Sequence, residues 1–523
     1  MHQALLIDEI LEVIFGFCTE SCTLTRAGRT CQAWKDPALD RVWWRLASFK
    51  PLLDLIPGLL CVNGVYVSVG ACLIQHAYNY QVLELSLHPD FRRLHYYASR
   101  VKQIIHRQRI QIHPTLLTLI LQDEKLASCF RRLAIARLSL TNCHAICSII
   151  SSAKGLQTVE LDLGFSTVAF KTVNGAASDF ISTVDRVSSC FTSLSLRGIA
   201  SGQVMNSVGH LSRLEALHLR VGTSLPAETL AAISTFPCLR ELEIHTSHIR
   251  PEDFRFSSSV CFPLLESLDI RGRTNSIEKL LQSMQSDSLA VLRIDIEFLV
   301  STDDTWDGLF TAIKEKTHAS LLQLTIEHHM DTQDLPLEDD TPSSSDTTHT
   351  SNSYINNLLR TNPNALLNFE HLYSLSNHRE LRQIVLETTP PILVRDHDLE
   401  HIVRWWPKLK HLDLGSVPTF DPRWTPKPTP AGLAVLSLGL SALETLVIPV
   451  NIAGLTSDVA TKFAKNSDSS LRCITLTALT PPEQSLAHCL NRLFPSVIEI
   501  HGTLGHEEHW DSVQNHYRLL QAF

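Results

Sequence analysis

The side chains best suited to chemistry in this sequence are its 25 histidines and 13 cysteines, and neither set has the spacing of a reaction centre. His506-Glu507-Glu508-His509 is the nearest approach to a metal cluster. Two imidazoles at i,i+3 without further placed ligands read better as hydrated surface. His328-His329 closes an apolar run, and neighbours in a strand face opposite sides. The cysteines include no C-x-x-C; the closest pairs, Cys18/Cys22 and Cys143/Cys147, fit reduced, packed thiols. No G-x-x-x-x-G-K-[ST], G-x-G-x-x-G, G-x-S-x-G, H-E-x-x-H or H-x-E…C-x-x-C occurs. No catalytic residue, cofactor or metal is therefore expected. The function class left is binding.

A chain that binds must position side chains on a scaffold, and composition bounds that scaffold. The 523 residues are 44% hydrophobic and 19% charged, ordinary for a folded chain. A net charge of −9 gives no broad surface for nucleic acid. The scattered thiols, the absence of N-x-S/T and the lack of a charged, then apolar, start predict a cytoplasmic or nuclear location. Leu59 to Ile74 is apolar but falls short of the roughly 20 residues a spanning helix needs. Its Gly and Val content suits a buried strand, so no membrane role is expected.

The first fifty residues predict three short helices. Leu6, Ile10, Val13/Ile14 and Phe17 recur at helical spacing, with Asp8 and Glu9 in the first turn. Leu24, Ala27, Cys31 and Trp34 give a second helix over Leu24–Trp34, and Leu39, Val42, Trp43 and Leu46 a third around Leu39–Phe49. So few residues cannot bury this much apolar surface among themselves. The helices pack either on the next domain, as a cap, or on a partner.

The string Leu6-x-x-Glu9-Ile10-Leu11-x-x-Ile14-Phe15, then Leu24, Cys31-x-x-Trp34 and Val42-Trp43-Trp44, resembles the F-box, with Ile7 where that family usually has proline. The resemblance covers under a tenth of the chain. It implies an all-helical module docked on the Skp-type adaptor of a cullin-based SCF ubiquitin-ligase core. The positions carried over are Leu6, Ile10, Leu11, Ile14, Phe15, Cys31, Trp34 and Trp43.

Beyond the module, His88-Pro89-Asp90 reads as a helix start, followed by a stripe of Phe91, Leu94, Ala98, Val101 and Ile104/Ile105. Its other side is basic: Arg92, Arg93, Arg100, Lys102, Arg107 and Arg109. From about residue 111 an L-x-x-L-x-L pattern recurs, opening at Ile135, Leu156, Phe191, Leu214, Leu239, Leu265, Leu289, Leu321, Leu381, Leu409, Leu443 and Leu471. Three copies are more specific: Phe236-Pro-Cys-Leu, Phe262-Pro-Leu-Leu and Trp406-Pro-Lys-Leu each precede an alternating strand. Proline stops the preceding helix, and the alternation buries one strand face. This resembles leucine-rich repeats of the cysteine-containing type, which implies an α/β solenoid whose stacked strands make a parallel-sheet horseshoe. The expected division is 1–50 module, 51–110 linker, 111–330 first repeats, 331–353 disordered Asp/Ser/Thr-rich insertion, and 354–523 second repeats.

Residues flanking the last two aliphatics of each repeat point outward. One column runs Arg197, Arg220, His245, Arg271, Asp295, Glu327; its neighbour runs Ser195, His218, Glu243, Asp269, Arg293, Thr325. The candidate target-binding residues are Arg197, His218, Arg220, Glu243, His245, Asp269, Arg271 and Arg293. Two readings stay open: a substrate-recognition subunit of an SCF-type ligase holding an unidentified target protein, and a leucine-rich-repeat scaffold with no ligase role.

Overall fold

A computed structural model describes residues 7–62, 65–68, 90–108, 110–142, 144–223, 225–247, 249, 254, 261–297, 306–317, 320–329, 367–388, 392–415, 425–464, 466, 468–503 and 506–522. The expected insertion at 331–353 lies outside them, as do Leu6, His88, Pro89, Arg109 and Cys143. The chain forms two compact units, Met1–Leu239 and Arg240–Phe523.

The first unit opens with helices α1 (Asp8–Gly16), α2 (Ser21–Ala27) and α3 (Gln32–Trp43). Strands β1 (Arg45–Leu46), β4 (Gln103–His106), β6 (Ile135–Ser139), β7 (Thr158–Asp162), β8 (Ser193–Gly198) and β9 (Ala216–Val221) come next, paired in that order and all parallel. A separate small sheet holds the hairpin β2 (Leu59–Val62) and β3 (Val65–Ser68), with β5 (Gln111–Ile112) parallel to β3. The described part of the apolar 59–74 stretch is thus strand. Among the described residues no helix is long and apolar enough to cross a membrane.

The second unit continues the same construction: β10 (Glu241–His245), β11 (Ser267–Gly272), β12 (Val291–Ile296), β13 (Gln323–His328), β14 (Gln383–Thr388), β15 (His411–Asp413), β16 (Thr445–Pro449), β17 (Cys473–Thr477) and β18 (Glu499–Thr503). Each pairs in parallel with the next. Helices such as Thr274–Ser283, Trp306–Thr317, Asp396–Trp405 and Gln484–Leu493 return the chain between strands. This is the leucine-rich-repeat class of α/β fold expected from the pattern.

The repeat has one local engine. The first aliphatic of each L-x-x-L-x-L lies two residues ahead of its strand and is sealed: Leu156, Leu265, Leu381 and Leu471 are all 0% exposed. In several repeats its N–H donates to the carbonyl three residues back, as Leu214 to Leu211 (3.1 Å), Leu409 to Trp406 (3.1 Å) and Leu443 to Leu440 (3.1 Å). That turn converts helix into strand, and the aromatic before proline plugs the joint. Phe236, Phe262, Trp406 and Phe494 are all buried. Full burial of such a side chain stabilises by roughly 1.5–3 kcal/mol, and most strands add two more inward aliphatics, as Leu217 and Leu219 do in β9.

Three sequence readings are corrected. The repeat at Ile135 is out of phase: β6 begins at Ile135 and pairs it with Thr158, so the residue equivalent to Leu156 is Leu133. Leu133 is 0% exposed, and its N–H donates to the Phe130 carbonyl at 3.3 Å. The helix expected through Ile105 ends at Ala98; Ile104 and Ile105 belong to β4, which lies between β1 and β6 in the sheet and buries Ile104 completely. The second helix stops at Ala27, so Cys31 is the N-cap of α3 and Trp34 lies on α3, which itself ends at Trp43.

Gly198 closes β8 at φ +110°, and a Cβ there would sit 2.4 Å from the Gly164 carbonyl oxygen. Side-chain-bearing residues avoid that conformation at a cost of about 1–3 kcal/mol before the clash is counted. Gly198→Ala should therefore lower the denaturant midpoint of the first unit clearly. An unchanged midpoint would show that the turn relaxes freely.

Candidate functional site

Two surfaces answer the sequence expectations. The first is on α1. Leu11 and Phe15 point inward and join Leu24 and Ala38 in a small core, with Cys18, Ala27, Trp34 and Val42 packed against it. Phe15 and Trp34 meet edge to face at 5.9 Å. The remaining apolar side chains are exposed to different degrees among the described residues: Ile10 is 37%, Ile14 41%, Val13 62% and Phe17 84% exposed, and Ile7 joins them at the helix start. Steps of three and four make these one stripe.

Of the positions carried over from the F-box pattern, Ile10 and Ile14 are thus outward, and Leu11 and Phe15 inward. Trp34 is partly buried on the core side, and Cys31 is half-buried at the head of α3. Trp43 is half-buried and stacks on Tyr97 at 4.6 Å, and Leu6 lies outside the described residues. Periodicity had included Val13 and Phe17 in the greasy face, though the family pattern passed over them. Ile7, at the position where that pattern has proline, caps α1 with extended backbone and no side-chain hydrogen bond.

Ion pairs fasten the module to the segment after it. Arg100 Nη2 donates to Asp36 Oδ1 at 2.6 Å and Nη1 to Asp40, while Arg132 Nη1 reaches Asp40 Oδ2 at 2.7 Å. Arg41 Nη2 ties α3 to the Gly16 carbonyl at 3.0 Å. The basic run after residue 90 is therefore partly consumed internally. Arg92 chelates Asp90 and, by that hydrogen bond, holds the Asp90 carboxyl down to about 2.

The second surface is the outward face of the strands. In the first unit Ser195 sits opposite His218 and Arg197 opposite Arg220. Arg197 lies over the Phe165 ring, 5.7 Å from its centroid. In the second unit Glu243, Asp269, Arg293 and Thr325 form one row, and His245, Arg271, Asp295 and Glu327 the next. These rows carry ion pairs. Arg271 Nε approaches Glu297 Oε1 at 2.9 Å and Asp295 Oδ2 at 3.5 Å, and Arg293 Nη1 approaches Asp269 Oδ2 at 3.7 Å. Glu297 was missed because it lies one residue past β12, outside the repeat pattern.

Burial pushes the Glu297 carboxyl up, but the Ser247 hydroxyl, His245 and Arg271 outweigh it and hold its pKa below the ordinary value. His245 Nε2 contacts both Ser247 Oγ (2.7 Å) and Glu297 Oε1 (2.8 Å). The buried thiols Cys129 and Cys489 are both pushed up to about 12, chiefly by desolvation, which leaves them protonated.

His328 is a titration probe of the core. It is buried edge to face on Trp306 at 5.8 Å, and burial lowers its pKa to about 4. The unfolded chain takes up this proton near pH 6.5, so protons favour unfolding and stability falls as pH drops from about 6.5 towards 4. His328→Phe should flatten that part of the stability profile. A slope identical to the parent's would place the titration elsewhere.

No protein-family model matches the chain, and no curated protein sequence matches it. Among solved structures it is similar to the yeast complex of Rad7 and Elc1, at 13% identity, covering 74% of this chain and 81% of that one, with a TM-score of 0.38. It is also similar to the leucine-rich repeat-containing protein LegL7 of Legionella pneumophila, at 12% identity, covering 71% and 93%, with a TM-score of 0.29.

Proposed function

We propose that the chain is a non-catalytic substrate-recognition subunit of an SCF-type ubiquitin ligase, active in the cytoplasm or nucleus. In this reading Ile7, Ile10, Val13, Ile14 and Phe17 of the α1 region seat on a Skp-type adaptor, and the outward strand face holds a target protein. One observation carries it: beside its own small core, the helix with the F-box-like pattern keeps an apolar stripe that is 37–84% exposed, most of all at Val13 and Phe17. Full burial of a fully exposed side chain of this kind is worth roughly 1.5–3 kcal/mol, and association costs about 4–15 kcal/mol, so the gain must come chiefly from the surface still open on Val13 and Phe17, with smaller shares from Ile7, Ile10 and Ile14. Ubiquitin transfer is then the work of partner subunits.

The competing reading is a repeat scaffold whose helices only cap the array. The ion pairs of Arg100 and the β1–β4 pairing favour it, since a cap must be anchored. It does not explain the bare stripe on α1. Removing residues 1–50 would also remove β1, so deletion cannot separate the two readings. Surface substitutions on α1 can: co-expression with a Skp-type adaptor and affinity capture should succeed for the parent and fail for a charged stripe. Failure of the parent itself would leave the scaffold reading.

A further inference from the structure

We propose that Cys473, Glu499 and His501, on the outward face of the last two strands, form a zinc-binding site. The Cys473 sulfur, a Glu499 carboxylate oxygen and a His501 ring nitrogen all lie within 4.8 Å of one another. Register fixes their backbones. Cys473 of β17 is paired directly with Glu499 of β18, and His501 is two residues further along β18, on the same face. Thiolate, imidazole and carboxylate are together the donor set that favours Zn²⁺ over the hard cations. Zinc holds sulfur at about 2.3 Å and nitrogen or oxygen at about 2.0–2.2 Å. Closing from the present spacing therefore needs only about an ångström of movement, which the exposed Glu499 and His501 side chains supply by rotamer change while Cys473 stays half-buried.

The platform is stiff where it needs to be. Ile500, between Glu499 and His501, donates its N–H to Gln514 Oε1 at 2.6 Å. On the opposite face of β18, a Cβ on Gly502 would meet the Trp510 ring at 2.0 Å, so the helix Glu507–Ala522 lies directly on the strand. His501 Nε2 already approaches Glu499 Oε2 at 3.4 Å. Burial, followed by the Glu499 charge, pushes the Cys473 thiol up. Coordination needs the thiolate, so Zn²⁺ must compete with that proton. Binding thus displaces the Cys473 proton to solvent, and it weakens as pH falls. Three protein donors leave the fourth tetrahedral position to water.

The ligands come from two strands and were invisible as a linear motif. The inference is independent of the adaptor reading, since it involves the other end of the chain. The test uses the full chain and Co²⁺ as a spectroscopic stand-in, with Zn²⁺ as competitor. The parent should develop a thiolate-to-cobalt charge-transfer band and tetrahedral visible bands that Zn²⁺ abolishes. Cys473→Ala should lose the charge-transfer band, and His501→Ala, at an exposed position that leaves the fold intact, should weaken binding by roughly tenfold or more. The absence of a band in the parent overturns the proposal. So does an undiminished band in Cys473→Ala, which would assign it to another thiol, or unchanged affinity in His501→Ala.

Discussion

A chain carrying Val13→Glu together with Phe17→Lys is expected to fold like the parent and to lose capture of a Skp-type adaptor by at least about a hundredfold. The two side chains are 62% and 84% exposed, so replacing them removes little from the folded state. Surface changes of this kind usually stay within about 0.5 kcal/mol. Glutamate is a good helix former inside α1, and lysine at its C-cap complements the helix dipole. In a covered interface the same charges lose water without gaining partners. Truncation of a central apolar anchor alone costs about 2 kcal/mol or more, and each 1.4 kcal/mol is about tenfold in affinity. Leu11→Ala is the internal control. Leu11 is 1% exposed in the small core, so its loss should cost about 2–5 kcal/mol of stability and impair capture only by loosening the module. A matched circular-dichroism melt and pull-down separates the two effects. Intact capture by the double variant would remove α1 from the adaptor interface.

That test depends on knowing which side chains face out, and the sequence could not say. Between Ile7 and Phe17 the apolar residues form one wide face opposite Asp8, Glu9 and Glu12, so helical periodicity marks that face but cannot say which part of it is covered. Only packing distinguishes the Leu11/Phe15 pair, covered by Leu24 and Ala38, from the stripe beside it. The repeats were more legible, because proline and alternation are local signals. Phe494-Pro495-Ser496-Val497 has the same form as the three aromatic-proline copies and could have announced β18. The misphased β6 failed for a definite reason. Leu133, Ala136 and Leu138 satisfy the pattern with a small residue in the middle, whereas Ile135, Leu138 and Leu140 satisfy it with larger ones. Strand alternation cannot choose between phases two residues apart; pairing with Thr158 does. Outward residues such as Asp269 and Arg271 were correctly placed by alternation. Their partnership with Arg293 and Glu297 crosses strands and is a property of register alone.

The aromatic before proline makes the second large prediction. Trp406→Ala should destabilise the second unit by about 3–5 kcal/mol, a substantial share of the roughly 5–15 kcal/mol that holds a domain folded. Trp406 is 0% exposed and terminates the helix Asp396–Trp405, its N–H donating to Ile402 at 2.9 Å while its carbonyl accepts from Leu409 at 3.1 Å. The indole Nε1 also donates to the Leu375 carbonyl at 3.0 Å. That carbonyl keeps the His378 N–H at 3.0 Å when the indole is gone, so the cost is mainly the cavity and not an orphaned acceptor. Trp406→Phe, which refills most of the space, should recover the larger part. Because each repeat packs chiefly on its neighbours, the damage should centre on the joint between Leu375 and Leu409. Hydrogen exchange of Trp406→Ala should show protection lost first in β14 and β15 while α1–α3 retain theirs and adaptor capture persists. Uniform loss of protection over all strands would mean that the array unfolds as one cooperative body, and that the aromatic-proline joints act globally.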